Sequence, residues 1–152
     1  MELTDLGFDR WFETQAAPLL QPGQCLARVT AVDRGACLIR NQEAETYAEL
    51  AGKFRFAVET AVDRPCVGDW VCVQCHASGG PAIIHGVVPR KTFLRRKCPG
   101  KTVDFQMIAT NIDIAFHLAF QDRFGQVLRH ETFSYRVLEL HRHRTAPREP
   151  SG

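Results

Sequence analysis

Apolar and polar side chains alternate through the middle of this chain. From residue 24 to residue 88 the chain has short apolar stretches, and in the first of them apolar residues recur at every second position, at Cys25, Ala27, Val29 and Ala31, which is the spacing of a half-buried β-strand. Glycine, proline and aspartate residues interrupt this pattern and leave five such stretches. The pattern predicts a mainly β fold, and it favours an antiparallel OB-type barrel because five strands suffice to close one.

The segments on either side of the predicted barrel have different patterns. Residues 1–23 place Trp11 and Phe12 within a helical spacing of apolar side chains, so we expect a short helix or a packed N-terminal arm. Residues 106–120 are rich in apolar side chains, which is typical of a strand buried on both faces in a parallel sheet. Residues 121–152 have no clear period. We therefore expect an orphan strand without neighbours, followed by an irregular, disordered tail.

Composition places the chain among globular proteins. It has 152 residues, of which 45% are hydrophobic and 24% are charged, unlike a disordered segment. Its apolar stretches are shorter than the roughly 20 residues of a membrane span. Acidic residues stand at the N-terminus, where a signal peptide carries basic ones. We therefore expect a cytoplasmic protein without membrane contact, in which the six cysteines are reduced.

Positive charge is concentrated directly after the predicted barrel. The whole chain has a formal net charge of +2, but residues 89–101 contain six basic and no acidic side chains. We call residues 89–105 the basic linker, and its basic residues are Arg90, Lys91, Arg95, Arg96, Lys97 and Lys101. Such charges repel one another unless anions are nearby, and a phosphate backbone supplies anions at regular spacing. The linker predicts an RNA partner, and the alternative is a solvated loop that keeps the protein soluble.

Three further residues are candidates for the same interface. Phe93 lies among the linker charges and is suited to stacking on a base, although an aromatic side chain between threonine and leucine also suits a core. Lys53 and Arg55 flank Phe54. They either extend the RNA-binding surface or belong to an ordinary exposed strand face.

Four groups of residues form a recognisable set of motifs. They are Ala48 to Arg55, Arg64 to Val71, Val88 to Thr92 followed by Arg95 to Lys97 and Pro99-Gly100, and Gln106 to Asp113. In this order and spacing they resemble the ribosome small-subunit-dependent GTPase A family. The resemblance covers residues 4–120, with Thr110 where alanine is usual.

The resemblance implies an N-terminal OB barrel, a circularly permuted GTPase domain and a C-terminal zinc-binding domain. It implies a role in late maturation of the small ribosomal subunit, that subunit and its rRNA as partners, and GTP, magnesium and structural zinc as cofactors of the family. The chain has neither the Gly-x-x-x-x-Gly-Lys-Ser/Thr loop that holds phosphates nor an Asn-Lys-x-Asp or Thr-Lys-x-Asp run that reads guanine. We therefore expect no catalytic residue, no cofactor and no GTPase activity in this chain itself.

The family pattern ends near Gln121. We interpret residues 106–120 as the first strand of an incomplete GTPase domain, and residues 121–152 as a divergent tail left by truncation, with a shifted reading frame as one origin. A non-functional fragment is the alternative to an RNA-binding module.

A different kind of site is suggested by Cys72, Cys75 and His76. Their spacing matches the attachment motif of c-type haem, and His85 or Cys98 would supply a further ligand for zinc. The alternating strand pattern and the absence of a signal peptide speak against haem, and the later ligands lack paired spacing. We therefore predict no metal or haem site and keep both as alternatives.

Overall fold

Five strands close into a barrel in the middle of the chain. The structure is a computed structural model, and it describes residues 1–33, 35–58, 60–76, 80–97 and 105–114. The barrel strands are β1 Cys25–Asp33, β2 Ala36–Arg40, β3 Glu45–Leu50, β4 Trp70–Gln74 and β5 Ala82–Val87. The predicted five-stranded barrel is thus confirmed.

The strand order around the barrel is β1-β2-β3-β5-β4, with β4 closing back on β1. Four of the five pairings are antiparallel, but β3 and β5 run parallel, with Ala48 opposite Ala82. The expectation of a purely antiparallel barrel was therefore wrong in this one pairing. A parallel pair requires a long crossover, and the chain between β3 and β5 supplies it because it includes a helix and the whole of β4.

The barrel interior is filled by small and β-branched side chains. Each strand contributes every second residue, as the period-two pattern requires, and the exposed fraction of each of these side chains is 6% or less. The buried set is Ala27, Val29, Cys37, Ile39, Ala48, Val71, Val73, Ala82 and Ile84. In β4 the alternate residues Trp70 and Cys72 are also buried, because they face the second core.

A second core closes one side of the barrel against the N-terminal segment. A 3-10 turn at Leu3–Leu6 is followed by helix α1, Arg10–Ala16. Asp9 is the N-cap of this helix, and its carboxylate accepts from the backbone N–H groups of Trp11 and Phe12. The fully buried Trp70 packs with Phe12 and meets the ring of Phe8 edge-on at a centroid distance of 4.8 Å. The predicted helix or packed arm is confirmed.

The basic linker contains a strand that the sequence analysis missed. β6, Phe93–Lys97, pairs antiparallel with β7, Phe105–Thr110, in a two-stranded sheet that we call the ribbon. The expectation of an orphan strand suited to a parallel sheet was therefore wrong, because the partner precedes the strand and lies in the linker. Residues 115–120 of that predicted strand, and the predicted tail 121–152, lie outside the described residues.

The helices are short. α1 has seven residues, and α2, Gly52–Ala57, has six. The alternative of an exposed strand face at Lys53 and Arg55 was wrong, since both residues lie on α2. In the part of the chain that the structure describes, no helix is long and apolar enough to cross a membrane.

Candidate nucleic-acid interface

Three basic side chains follow one another on β6. The Arg95 guanidinium lies over the rings of Phe93 and Phe105, with its central carbon 5.5 and 4.1 Å from their centroids. Arg96 donates from Nε and Nη2 to the Gln106 side-chain oxygen at 2.9 and 2.6 Å, and Lys97 is exposed. The ribbon therefore holds its two arginines in place by contacts of their own side chains with Phe93, Phe105 and Gln106.

Arg90 occupies a different environment from the ribbon arginines. Its Nε and Nη2 groups donate to the two carboxylate oxygens of Asp69 at 2.8 and 2.7 Å, and Asp69 is fully buried. Its remaining N–H groups reach the backbone carbonyls of Val62 and Arg64. Such a bidentate pair has little capacity left for a phosphate. The structure thus gives this predicted RNA-binding residue an internal role.

Lys91 is held against helix α1. Its ammonium forms an ion pair with Asp9 and lies 5.4 Å from the ring centroid of Trp11 and 4.6 Å from that of Phe12. The hydrogen bond from Lys91 is the main reason that the pKa of Asp9 lies below its ordinary value. Lys91 therefore fixes the start of the linker to helix α1.

Asn111 ties the ribbon to the barrel, and the sequence analysis did not identify it. It has a positive φ of 51°, its side-chain oxygen accepts from the backbone N–H of Lys91 at 2.8 Å, and its Nδ2 donates to the carbonyl of Gly68 at 3.0 Å. Its own carbonyl accepts from Arg28 on β1 at 3.1 Å. Its positive φ is uncommon for a residue other than glycine, but a backbone torsion angle cannot be read from the sequence.

Gly68 lies at the closest approach between the two parts of the molecule. A Cβ atom there would lie 2.0 Å from the carbonyl oxygen of Thr110, and its φ is +93°. Thr110 is itself fully buried and donates its N–H to the carbonyl of Val67 at 2.9 Å. We call Gly68, Asp69, Arg90, Thr110 and Asn111 the joint, because together they fix the direction in which the ribbon leaves the barrel.

The other predicted interface residues lie elsewhere. Lys53 and Arg55 are exposed on α2, where Phe56 is 91% exposed. Lys101 lies outside the described residues. Of the nine predicted residues, the structure thus brings Phe93, Arg95, Arg96 and Lys97 together on one strand.

The cysteine motif falls on the end of a barrel strand. Cys72 is buried in β4 with an exposed fraction of 1%, and burial raises the pKa of its thiol. Cys75 and His76 are exposed beyond the strand. A thiol buried in the second core cannot reach a haem vinyl group without unfolding β4, which argues against haem attachment. Across the ranges given above, no three histidine, cysteine or acidic side chains are grouped for metal binding, and Cys98 lies outside those ranges.

Three relatives share a name and match much of this chain. A small ribosomal subunit biogenesis GTPase RsgA of Opitutus terrae is 33% identical over 141 residues, which is 88% of this chain and 38% of the relative. RsgA 2 of Lactiplantibacillus plantarum is 32% identical over 67% of this chain and 28% of its own length. RsgA of Syntrophotalea carbinolica is 31% identical over 76% of this chain and 33% of its own length.

These matches cover only part of the relatives. The chain spans between 28% and 38% of the length of these three proteins. No family model matches the chain, and no solved structure matches it.

Proposed function

Because the chain belongs to the RsgA family over the region that these relatives share with it, we propose that it is an RNA-binding module that docks on rRNA of the small ribosomal subunit in the cytoplasm. The relatives are named as GTPases of small ribosomal subunit biogenesis. A barrel of this strand order with a basic extension is suited to polyanion binding.

The observation that carries this proposal is the row of cations on β6. Arg95, Arg96 and Lys97 are consecutive, so their side chains leave a single strand at both of its faces. Contacts with aromatic rings and with Gln106 hold the two arginines in place. A preorganised guanidinium loses less conformational entropy when it binds a phosphate than a freely rotating one does.

We propose two functions for the basic linker. Arg90 and Lys91 are engaged by Asp69 and Asp9, so we assign them to positioning. Arg96 and Lys97 are placed to contact phosphates, and Arg95 to contact phosphates or to support Phe93. We propose Lys53 and Arg55 as a second contact on α2.

The decisive experiment compares three charge-matched double variants in binding to purified small ribosomal subunits across a salt series. The ribbon variant is Arg96→Gln with Lys97→Gln, and the α2 variant is Lys53→Gln with Arg55→Gln. Arg10→Gln with Arg64→Gln removes the same charge from other exposed positions and is the control.

We expect the ribbon variant to bind at least roughly tenfold more weakly at moderate salt, and its salt slope to fall by about 1 for each lost phosphate contact. The control is expected to lose much less affinity at every salt concentration. Equal losses in the ribbon variant and the control would show that only net charge matters, and would refute a defined interface on β6.

We further propose that this chain does not itself hydrolyse GTP or hold the magnesium that this reaction requires, because neither the phosphate loop nor the guanine-reading run occurs in its sequence. The measurement is phosphate release from GTP by the purified chain, with and without small ribosomal subunits. Release above that of the subunits alone would contradict this proposal.

A further inference from the structure

A cleft of about 530 Å³ lies where α1, the loop before β4 and the ribbon meet. Trp11 and Gln15 line it from the helix, Val62 and Asp63 from the loop, and Phe93 and Met107 from the ribbon. Its volume is within the range of about 300–1,000 Å³ that is usual for small-ligand sites. None of the functions assigned so far uses this cleft.

The cleft combines flat aromatic walls with a polar edge. Trp11 is held by an edge-on contact with Phe12 at a centroid distance of 5.1 Å, and Phe93 is held by the Arg95 guanidinium over its ring. The amide of Gln15 and the carboxylate of Asp63 can donate and accept hydrogen bonds at the rim. The side-chain oxygen Oδ2 of Asp63 accepts from the hydroxyl and N–H of Thr60, which fixes the carboxylate in place.

Basic side chains lie at the cleft. Arg95 is part of the lining, and Lys91, which is paired with Asp9, lies 5.4 Å from the ring centroid of Trp11. A ligand that places an aromatic ring between apolar walls, a hydrogen-bonding edge at the rim and a negative charge outside would match all three features. An unpaired nucleotide has this combination, because its base has two π faces and a polar edge and its phosphates follow the strand.

We propose that this cleft takes up one unpaired nucleobase of the RNA that the ribbon binds. The proposal rests on the RNA-binding function above, and it adds that the bound RNA is single-stranded where it passes Phe93, the first residue of β6. Trp11 and Phe93 provide the stacking surfaces, Asp63 and Gln15 contact the base edge, and Arg95 contacts a flanking phosphate.

The test uses a uridine RNA of about 12 nucleotides, matched to the site size of such barrels, with one 2-aminopurine in the middle. Anisotropy of an end label reports binding, and 2-aminopurine fluorescence reports stacking. We expect quenching of the 2-aminopurine at saturation. We also expect roughly tenfold weaker binding when an abasic site replaces the base, as for the loss of one stacked base.

Two variants at one position distinguish a filled cleft from an open one. Val62 lies in the lining, and it also accepts from Arg90 through its backbone carbonyl, which a side-chain change leaves in place. Val62→Trp fills the cleft, and it is expected to abolish the quenching and to remove the difference between the base-containing and abasic RNAs. Val62→Ala leaves the cleft open and is expected to retain both, which controls for effects on folding.

The outcomes distinguish the base site from the RNA-binding function on which it rests. If neither this RNA nor purified small ribosomal subunits bind the chain in a way that Arg96→Gln with Lys97→Gln weakens, the RNA-binding function fails and the base site fails with it. If the subunits bind in that way but this RNA does not, only the base site is refuted. If anisotropy shows ribbon-dependent binding, but 2-aminopurine is not quenched or Val62→Trp behaves as the parent chain does, only the base site is refuted.

Discussion

The barrel and the ribbon are built from the same local element, the antiparallel strand pair, and yet they use it in opposite ways. In the barrel, every strand has two neighbours and the inward side chains are sealed from water. In the ribbon, each strand has one neighbour within its sheet, and all five residues of β6 are half-buried or exposed. The inward side chains of the barrel stabilise the fold, whereas the ribbon side chains other than Thr110 are at least partly exposed.

A two-stranded ribbon is marginally stable alone, so its geometry must come from its attachment. The joint supplies that attachment through a buried ion pair, a close backbone contact and the hydrogen bonds of Asn111. We therefore expect changes in the joint to affect the stability of the whole molecule, and changes at the ribbon surface to affect binding alone. The following predictions test this contrast, beginning with the largest expected loss of stability.

The largest effect is expected from Asp69→Ala. Asp69 is fully buried, and the side chain of its partner Arg90 is only 16% exposed, so the substitution leaves a largely buried guanidinium without its carboxylate. Breaking such a pair costs about 3–5 kcal/mol. Urea unfolding followed by circular dichroism measures the loss. Asp33→Ala, at an exposed position at the end of β1, is the control and should change the free energy of unfolding by less than about 0.5 kcal/mol. Equal losses would show that the joint is not a centre of stability.

The second effect concerns Gly68→Ala. An alanine at this position would have to adopt a left-handed backbone conformation. Its methyl group would also clash with the carbonyl oxygen of Thr110. Gly23→Ala is a matched control, because Gly23 has a similar φ of +82° but no atom within 4 Å of its Cβ position. We expect the control to lose about 1–2 kcal/mol from the backbone conformation. Gly68→Ala should lose a further ~1–3 kcal/mol from overpacking.

The difference between the two glycine variants isolates the close approach of the barrel to the ribbon. The same urea titrations measure it. If the two losses agree within about 0.5 kcal/mol, the ribbon can shift away from the barrel without cost, and the joint does not hold it rigidly.

A smaller effect is expected where the linker meets helix α1. Lys91→Met removes an ion pair with Asp9 and a cation–π contact with the rings of Trp11 and Phe12. Both ion-pair partners are partly exposed, with side-chain exposures of 33% and 51%, so solvent screening limits the loss at neutral pH to about 1 kcal/mol.

The pH dependence of this loss has a definite sign. Lys91 lowers the pKa of Asp9 below the ordinary value of 3.8. The ion pair therefore contributes its full stability above pH 3.8 and loses it as the pH falls through the lower folded-state pKa. The stability difference between the parent chain and Lys91→Met should shrink in acid, and the cation–π part should remain. A difference that grows on acidification would contradict this assignment.

The contrast between barrel and ribbon also separates what the sequence predicted from what it did not. The five barrel strands follow from short apolar stretches punctuated by turn residues, and the first predicted stretch, Cys25 to Ala31, lies within β1. Each of these strands can be predicted from its own residues, because its inward side chains form the core. Local patterning was therefore sufficient for the barrel.

The ribbon and the joint depend on partners that are distant in the sequence. β6 carries consecutive charges rather than alternation, so its strand character becomes evident only when β7 lies beside it. Arg90 is one of six similar cations in the linker, and its special role is set by Asp69, 21 residues earlier. Charge density indicated where an anion could bind, but it could not show which cations were already paired inside the protein.

The smallest effect on folding is expected from the ribbon variant Arg96→Gln with Lys97→Gln. Lys97 is exposed, and Arg96 is bonded to Gln106 at the surface, so the free energy of unfolding should change by less than about 0.5 kcal/mol. Glutamine keeps much of the side-chain length and an N–H donor, and it removes the charge. Urea unfolding measures the stability of this variant, and a binding titration with small ribosomal subunits measures its affinity. A variant that loses affinity while keeping its stability would assign these cations to binding. A variant that loses both would mean that the ribbon cations hold the ribbon together, because their charge then supports the fold as Asp69 and Arg90 do in the joint.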